Sequence, residues 1–295
     1  MLLRTEHLTK DYNGFRALDD LTLSVRAGEV FGLLGPNGSG KTTALRIFVG
    51  FLQPTSGQAW IADHDCWRES LRARCHIAYL PGELRLYENM TGRQLVRFLS
   101  RLRGHSVNSE VDELAQRLDI DLDRPIAHLS SGMKRKVALL QVLAPRAPLL
   151  ILDEPTNTLD PNMREELLSQ LRLAREQGQT VVFSSHVLAE VEQVCDRVAI
   201  LHRGRLAHLQ EMAALREARL IRARLSSLAA ECAPDLSGLQ LRERHEDQIT
   251  WEYMGPLPPL LAWLATQPLR DLRIEPLGLA AIYRRFHGAE KVSAR

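Results

Sequence analysis

Cysteine is scarce in this 295-residue chain: Cys66, Cys75, Cys195 and Cys232 are scattered and form no C-x-x-C pair. That fits reduced thiols in a cytoplasm better than a disulfide framework or a zinc site. Surplus charge is missing too. Lys plus Arg number 38 against 36 Asp plus Glu, a net charge of +2, which encodes neither a basic glove for nucleic acid nor a polybasic membrane anchor. No nucleic-acid partner is expected. Long hydrophobic runs are absent: the longest apolar stretch, Val137 to Leu152, is interrupted by Gln141, Arg146 and two prolines, so it falls short of a membrane span of ~20 residues. The start, Met1-Leu2-Leu3-Arg4-Thr5-Glu6, lacks the layout of a secretory signal, and a soluble chain is expected. No internal repeat or low-complexity tract is visible. With 45% hydrophobic residues, the length suits two domains better than one.

What is present begins at Gly35-Pro36-Asn37-Gly38-Ser39-Gly40-Lys41-Thr42, a match to G-x-x-x-x-G-K-[ST] at every fixed position. The glycines let backbone N–H groups turn inward around a triphosphate, Lys41 reaches the β and γ phosphates, and Thr42 offers a hydroxyl to a divalent cation. The flanks agree with that chemistry. Glu29 to Leu34 reads as a buried strand and Thr42 to Val49 as a helix closed by Gly50, so Thr43 and the loop meet the phosphates at a helix N-terminus.

Residues 2–9 and 21–26 alternate apolar and polar side chains, as two half-buried antiparallel strands would. From Leu84 to Leu143 the spacing turns helical, with breaks at Gly104 and Asp123-Arg124-Pro125, which predicts a helical insert in a sheet. Leu149 to Leu152 and Thr180 to Phe183 are short hydrophobic runs of the kind that parallel strands covered on both faces require. After the amphipathic stretch Gln210 to Arg219 the spacing predicts strands near 219–226, 237–244, 248–254 and 269–275. Helices are expected near 228–233 and 257–266. This order resembles a small split βαβ, or ferredoxin-like, unit. The strand ending at Leu152 delivers Asp153 and Glu154: the first is placed to hold a magnesium ion, and the second to orient or deprotonate an attacking water.

Several further motifs come in a fixed order, and with them the chain resembles the ATP-binding subunit of an ABC transporter over roughly residues 1–215. Leu129-Ser130-Ser131-Gly132-Met133 is similar to that family's signature, with Ser131 and Met133 departing from its usual residues. Pro155 to Asp160 resembles the family's D-loop, with Thr158 where glycine is usual. His186, after Ser184-Ser185, matches its switch histidine, and Tyr12 the aromatic that stacks on adenine, with Phe15 as substitute. The resemblance implies an α/β fold of the P-loop NTPase (RecA-like) type: a mixed sheet core with an antiparallel β subdomain and a helical subdomain inserted at about 84–148. A small α+β domain at 216–295 follows the cassette of 1–215.

The resemblance further implies ATP and Mg²⁺ as ligands, with Lys41, Glu154 and His186 catalytic and Asp160 in the interface loop. The Ser130 hydroxyl and Gly132 N–H are implied to contact the γ phosphate held by a second cassette, in a homodimer resting on separate membrane permease subunits at the cytoplasmic face. One departure is larger. Tyr79-Leu80-Pro81 is followed by Gly82 where the family commonly has glutamine, and Glu83 is the nearest carboxylate that could stand in as a metal ligand beside Thr42 and Asp153. Leu84, Leu86, Tyr87 and Met90 are candidate contacts for a membrane subunit, or equally the insert's own core. The sequences at 79–104, at 130–137 and in the tail most resemble the multidrug, antibiotic and lipid exporter branch, although Leu277 to Tyr283 lacks the acid of that branch's last helix. An importer cassette with a regulatory C-terminal domain and a soluble, non-transport ATPase remain alternatives.

Overall fold

The N-terminal alternation folds, in the computed structural model, into β1 (Leu3–Tyr12) and β2 (Phe15–Val25). The structure describes residues 1–102, 109–226 and 236–287. Both strands outrun the expected spans because Asn13 and Gly14 take positive φ, 49° and 94°, and close a two-residue hairpin with Tyr12 opposite Phe15. Asn-Gly is the pair such a turn favours. With β4 (Ser56–Ile61) and β5 (His64–Asp65) these strands make an antiparallel ladder in the order β2-β1-β4-β5.

The second sheet begins with β3 (Val30–Leu34), buried throughout, which runs through the phosphate loop into α1 (Lys41–Phe48). After α2 (Ser70–Cys75) and β6 (Ile77–Leu80) come the inserted helices α3 (Gly92–Leu102), α4 (Ser109–Arg117) and α5 (Ser131–Leu143). The helical texture predicted from Leu84 becomes helix only at Gly92, and the break expected at Gly104 lies outside the described residues. Leu86 and Met90 pack against the insert's core around Leu95, Leu118, Ile126 and Val137, whereas Tyr87 is exposed. Next come β7 (Leu149–Asp153), α6 (Pro161–Glu176), β8 (Thr180–Ser185), α7 (Leu188–Val194), β9 (Arg197–His202) and β10 (Arg205–Glu211). The sheet order is β10-β9-β3-β8-β7-β6.

The five strands from β9 to β6 pair in parallel, so both faces are covered and the runs are uniformly apolar. One face shares a core with α1 and the antiparallel ladder, through Phe31, Phe48, Leu3, Ile151 and Val182. Each such side chain contributes about 1.5–3 kcal/mol on burial. The register sets polar strand ends side by side: Asp153 lies opposite Ser184, and Leu34 opposite Ser185. The ends of β3, β7 and β8 therefore open at one edge, where an open α/β sheet receives its ligands.

The chain divides into two compact units, Met1–Leu209 and Gln210–Arg295. The boundary falls before the expected 215, because α8 (Met212–Glu217), with Met212 and Leu215 buried, belongs to the second unit. There β11 (Ala218–Leu225), β12 (Leu239–His245), β13 (Gln248–Met254) and β14 (Leu269–Pro276) pair antiparallel in the order β12-β13-β11-β14. Helix α9 (Leu257–Ala265) buries Leu260 and Leu264 with Trp251 and Tyr253, and α10 (Leu279–His287) comes last. This is the strand order of a split βαβ unit. The helix expected at 228–233 lies outside the described residues.

Among the described residues of this unit, Glu252 is the buried charge. It accepts from both Arg242 and Arg285. Burial alone would raise its pKa, but the two guanidiniums outweigh that and hold it below the ordinary 4.5. A depressed carboxylate contributes stability that is fully present above its unfolded value and is lost as pH falls through the folded one. Acid unfolding followed by Trp251 and Trp263 fluorescence in a Trp60→Phe, Trp67→Phe background is therefore expected to show a stability decline below about pH 4.5. In Glu252→Gln that decline is expected to shrink. An identical acid limb in both proteins would contradict this role.

Candidate nucleotide site

The phosphate loop is built by conformation first. Gly40 sits at φ 102°, and a Cβ there would lie 2.6 Å from the Ala17 carbonyl oxygen, so only glycine fits the close approach. Helix α1 starts directly after it with no side-chain cap and no acid in its first turn. Its N–H groups and the positive end of its dipole thus face the loop without an internal anion. Ser39 Oγ is buried in the loop without a hydrogen-bond partner among the described residues. An orphaned buried donor beside a free helix N-terminus fits a phosphate oxygen.

Lys41 is 5% exposed. Its Nζ donates to the carbonyls of Gly35, at 2.7 Å, and Pro36, at 3.2 Å, and lies 3.7 Å from Glu154 Oε1. Burial pulls its pKa below the ordinary lysine value, with Glu154 and Asp153 acting in the opposite direction. The ammonium is thus already desolvated in the place where a phosphate's charge would compensate it.

The carboxylate pair is positioned by a hydroxyl. Ser184 Oγ, fully buried at the end of β8, donates to Asp153 Oδ1 at 2.7 Å and accepts from the Glu154 N–H at 2.9 Å. Thr42 Oγ1 donates to the same Asp153 oxygen at 3.2 Å. Glu154 takes φ +46°, in the left-handed region that residues other than glycine seldom adopt. Glu154 Oε2 meets His186 Nδ1 at 2.8 Å and accepts from Asn157 Nδ2 at 3.1 Å. Behind this group Glu190, on α7, accepts at one oxygen from both Thr156 and Ser185, each at 2.9 Å. The loop carrying Glu154 and the strand end carrying His186 are thereby tied to one buried carboxylate.

Thus Lys41, Thr42, Asp153, Glu154 and His186 converge. A groove beside them is lined by Asn37 to Thr43, Glu154, Ala17 and Phe15. Phe15, 63% exposed, borders this groove. Tyr12 does not; it is 42% exposed, with the Lys10 ammonium 5.2 Å over its ring. Ser130 and Gly132 lie outside the groove's lining. Ser130 Oγ caps α5 by accepting from the Met133 N–H at 3.3 Å, and Asp160 caps α6 by accepting from Met163 N–H at 3.0 Å, both typical N-cap contacts. Gly132 faces the D-loop: a Cβ on it would stand 2.9 Å from the Thr158 carbonyl. Thr158, a β-branched residue, is held at φ 66°, a conformation costing of order 1 kcal/mol or more.

The structure does not bring Glu83, the expected substitute metal ligand, beside Asp153. The Glu83 side chain is exposed and makes no hydrogen bond or ion pair with the described residues, so it is not brought into the group around Asp153. The backbone of Gly82 is: a Cβ at Gly82 would lie 3.2 Å from Asp153 Oδ2. The side chain that reaches this loop is Arg135, from α5.

A strand, a phosphate loop and a helix, with a carboxylate pair at the end of β7, a parallel strand separated from β3 by β8, define a P-loop ATPase. The family model described as ABC transporter matches residues 18–157. The bacitracin transport ATP-binding protein BcrA of Bacillus licheniformis is 35% identical over 70% of this chain and 68% of its own length. The sulfate/thiosulfate import ATP-binding protein CysA of Xanthomonas campestris pv. campestris is 38% identical over 71% of this chain and 64% of its own. A solved structure described as the ATP-binding subunit of an ABC transporter superposes with a TM-score of 0.68 at 31% identity, covering 73% of this chain and 92% of that one. The chain belongs to the ABC transporter family as an ATP-binding cassette and is an ATPase. The relatives include an importer, so membership does not fix the direction of transport.

Ser184, Asn157, Glu190 and Arg135 were not singled out by sequence reasoning. The polar ends of the two apolar runs were a usable signal for Ser184 alone. Because Phe15 borders the groove, Phe15→Ala is expected to weaken binding of a fluorescent ATP analogue about tenfold and Tyr12→Ala to change it little. The reverse order, measured by equilibrium titration, would return the stacking role to Tyr12.

Proposed function

We propose that this cassette binds ATP with Mg²⁺, pairs with a second copy across the bound nucleotides, and drives export through separate membrane subunits at the cytoplasmic face of the membrane. The observation that carries the reading is the division of the site. Lys41, Glu154 and His186 form one cluster, whereas Ser130 and Gly132 lie outside the groove, at a helix N-terminus suited to an anion supplied by another chain.

Thr42 Oγ1 and Asp153 supply a hydroxyl and a carboxylate, hard oxygen donors 3.2 Å apart. Among the described residues no group of three or more His, Cys, Asp and Glu is arranged for a metal. One carboxylate and one hydroxyl suit a cation that keeps waters and takes its other ligands from phosphate, as Mg²⁺ does. When bound there with nucleotide, that ion supplies charge neutralisation at the β and γ phosphates. Lys41 would exchange its Gly35 and Pro36 carbonyls, and its approach to Glu154, for phosphate oxygens. Glu154, so released, would orient a water and accept its proton, while His186 would donate toward the γ phosphate.

Triphosphate gains contacts from Ser130 and Gly132 of a second chain that diphosphate would not, so ATP favours the closed pair and hydrolysis lets it part. Among the described residues no helix is long and apolar enough to cross a membrane. Separate membrane subunits are therefore part of the proposal, and the exposed Tyr87 with its edge-on neighbour Phe98 offers them an apolar contact. Similarity at residues 79–104 and 130–137 favours export. Import is the second reading, favoured by the sulfate/thiosulfate importer relative. Glu154→Gln is expected to lower ATP turnover by about 10²–10⁴ while retaining ATP affinity, and to elute from a sizing column as a dimer in ATP and a monomer in ADP. Turnover near that of the parent, or a monomer in both nucleotides, would overturn the proposal.

A further inference from the structure

Three consecutive cations, Lys134, Arg135 and Lys136, span the first two turns of α5, and each faces a different part of the chain. Lys134 Nζ pairs with Glu88 at 2.6 Å, on the segment between β6 and α3. Lys136 lies 3.9 Å from Asp119, just past α4. Arg135, between them, is 4% exposed and forms no ion pair with the described residues. Its guanidinium instead donates to two successive backbone carbonyls, Pro81 at 3.0 Å and Gly82 at 2.9 Å. Burying a guanidinium without a touching carboxylate costs free energy unless its donors are satisfied. The costs of burial show in the group itself: its pKa is lowered by desolvation, with the charges of Asp153 and Glu154 opposing that.

We propose that Arg135 is a positioning residue that clamps the Pro81–Gly82 loop against Asp153 and couples that loop to α5. The fork of the guanidinium sets two carbonyls at once, a geometry that a lysine ammonium cannot reproduce. The loop needs such a clamp because Gly82 has no side chain to hold it, and because its Cα runs so close that an added Cβ would lie 3.2 Å from Asp153 Oδ2. The same helix carries Ser130 at its N-cap. A displacement of α5 therefore moves the backbone beside Asp153 directly, with Lys134 and Glu88 carrying the next part of the loop along. The effect on Mg²⁺ rests on the reading of Asp153 as the metal's carboxylate. The clamp itself does not.

The test uses the full chain with Arg135→Gln, Arg135→Lys and Gly82→Ala. Amide hydrogen exchange over residues 82–88, measured without nucleotide or metal, is expected to quicken about tenfold or more in Arg135→Gln and to a smaller extent in Arg135→Lys. The Mg²⁺ concentration giving half-maximal ATPase is expected to rise about fivefold or more in Arg135→Gln, with ATP affinity in EDTA unchanged. Gly82→Ala, which leaves the donors of Arg135 intact but crowds Asp153, is expected to shift the Mg²⁺ response in the same direction. Unaltered exchange over 82–88 in both Arg135 variants would overturn the clamp, and if Arg135→Gln does not fold, Arg135→Lys alone decides. Asp153→Asn separates the two readings: if it keeps the parent's Mg²⁺ response, the metal assignment fails while the exchange result still judges Arg135.

Discussion

A single buried hydroxyl, that of Ser184, ties the carboxylate of Asp153 to the backbone of Glu154. It donates to Asp153 and accepts from the backbone N–H of Glu154, so the two adjacent acidic residues share one anchor. It can do so because β7 and β8 pair in a register that sets Asp153 opposite Ser184, and the register rests on the apolar strands that bury both faces of the sheet. Leaving such groups unpaired in a dry interior costs about 1–3 kcal/mol each. The core thus determines where the chemistry sits, and the chemistry imposes polar residues only at the strand ends.

The polar groups around that anchor form a second layer of constraint. Glu154 at φ 46° and Thr158 at φ 66° hold the intervening turn in conformations that side chains other than glycine adopt reluctantly. Glu190 opposes their relaxation by binding Thr156 and Ser185 together. On the other side Arg135 binds the backbone that leads away from β6. The turn carrying Glu154 and the loop beside Asp153 are therefore each held by a buried charged residue from a different helix. Such a frame suits a site that exchanges internal partners for a ligand: Lys41 already has carbonyls and a carboxylate to release.

How much the residues disclose on their own depends on how local each signal is. The phosphate loop, the strands at Leu149 and Thr180 and the four C-terminal strands are written in contiguous residues, and their order alone restricted the topology. Glu190 and Arg135 depend on pairings across 30 or more residues, which no spacing rule reveals. Phe15 borders the groove and Tyr12 does not, although the Asn13-Gly14 turn sets the two opposite each other, a difference that motif position does not show. Glu83 is the nearest carboxylate to Gly82 in sequence, but it lies in the loop past the end of β6 at Leu80, with its side chain exposed.

The central claim is that a complete reaction centre is shared between two chains. Two variants test it most directly when mixed. Lys41→Ala removes the phosphate lysine, and Ser130→Asp keeps a good helix cap while setting a negative charge where a second chain's γ phosphate would bind. The measurement is ATPase activity of each alone and of an equimolar mixture. The account predicts negligible turnover from either protein and recovery to about a quarter of the parent's activity in the mixture, since half of the pairs would hold one intact site. Full activity of Ser130→Asp alone, or a mixture as inactive as its components, would contradict it.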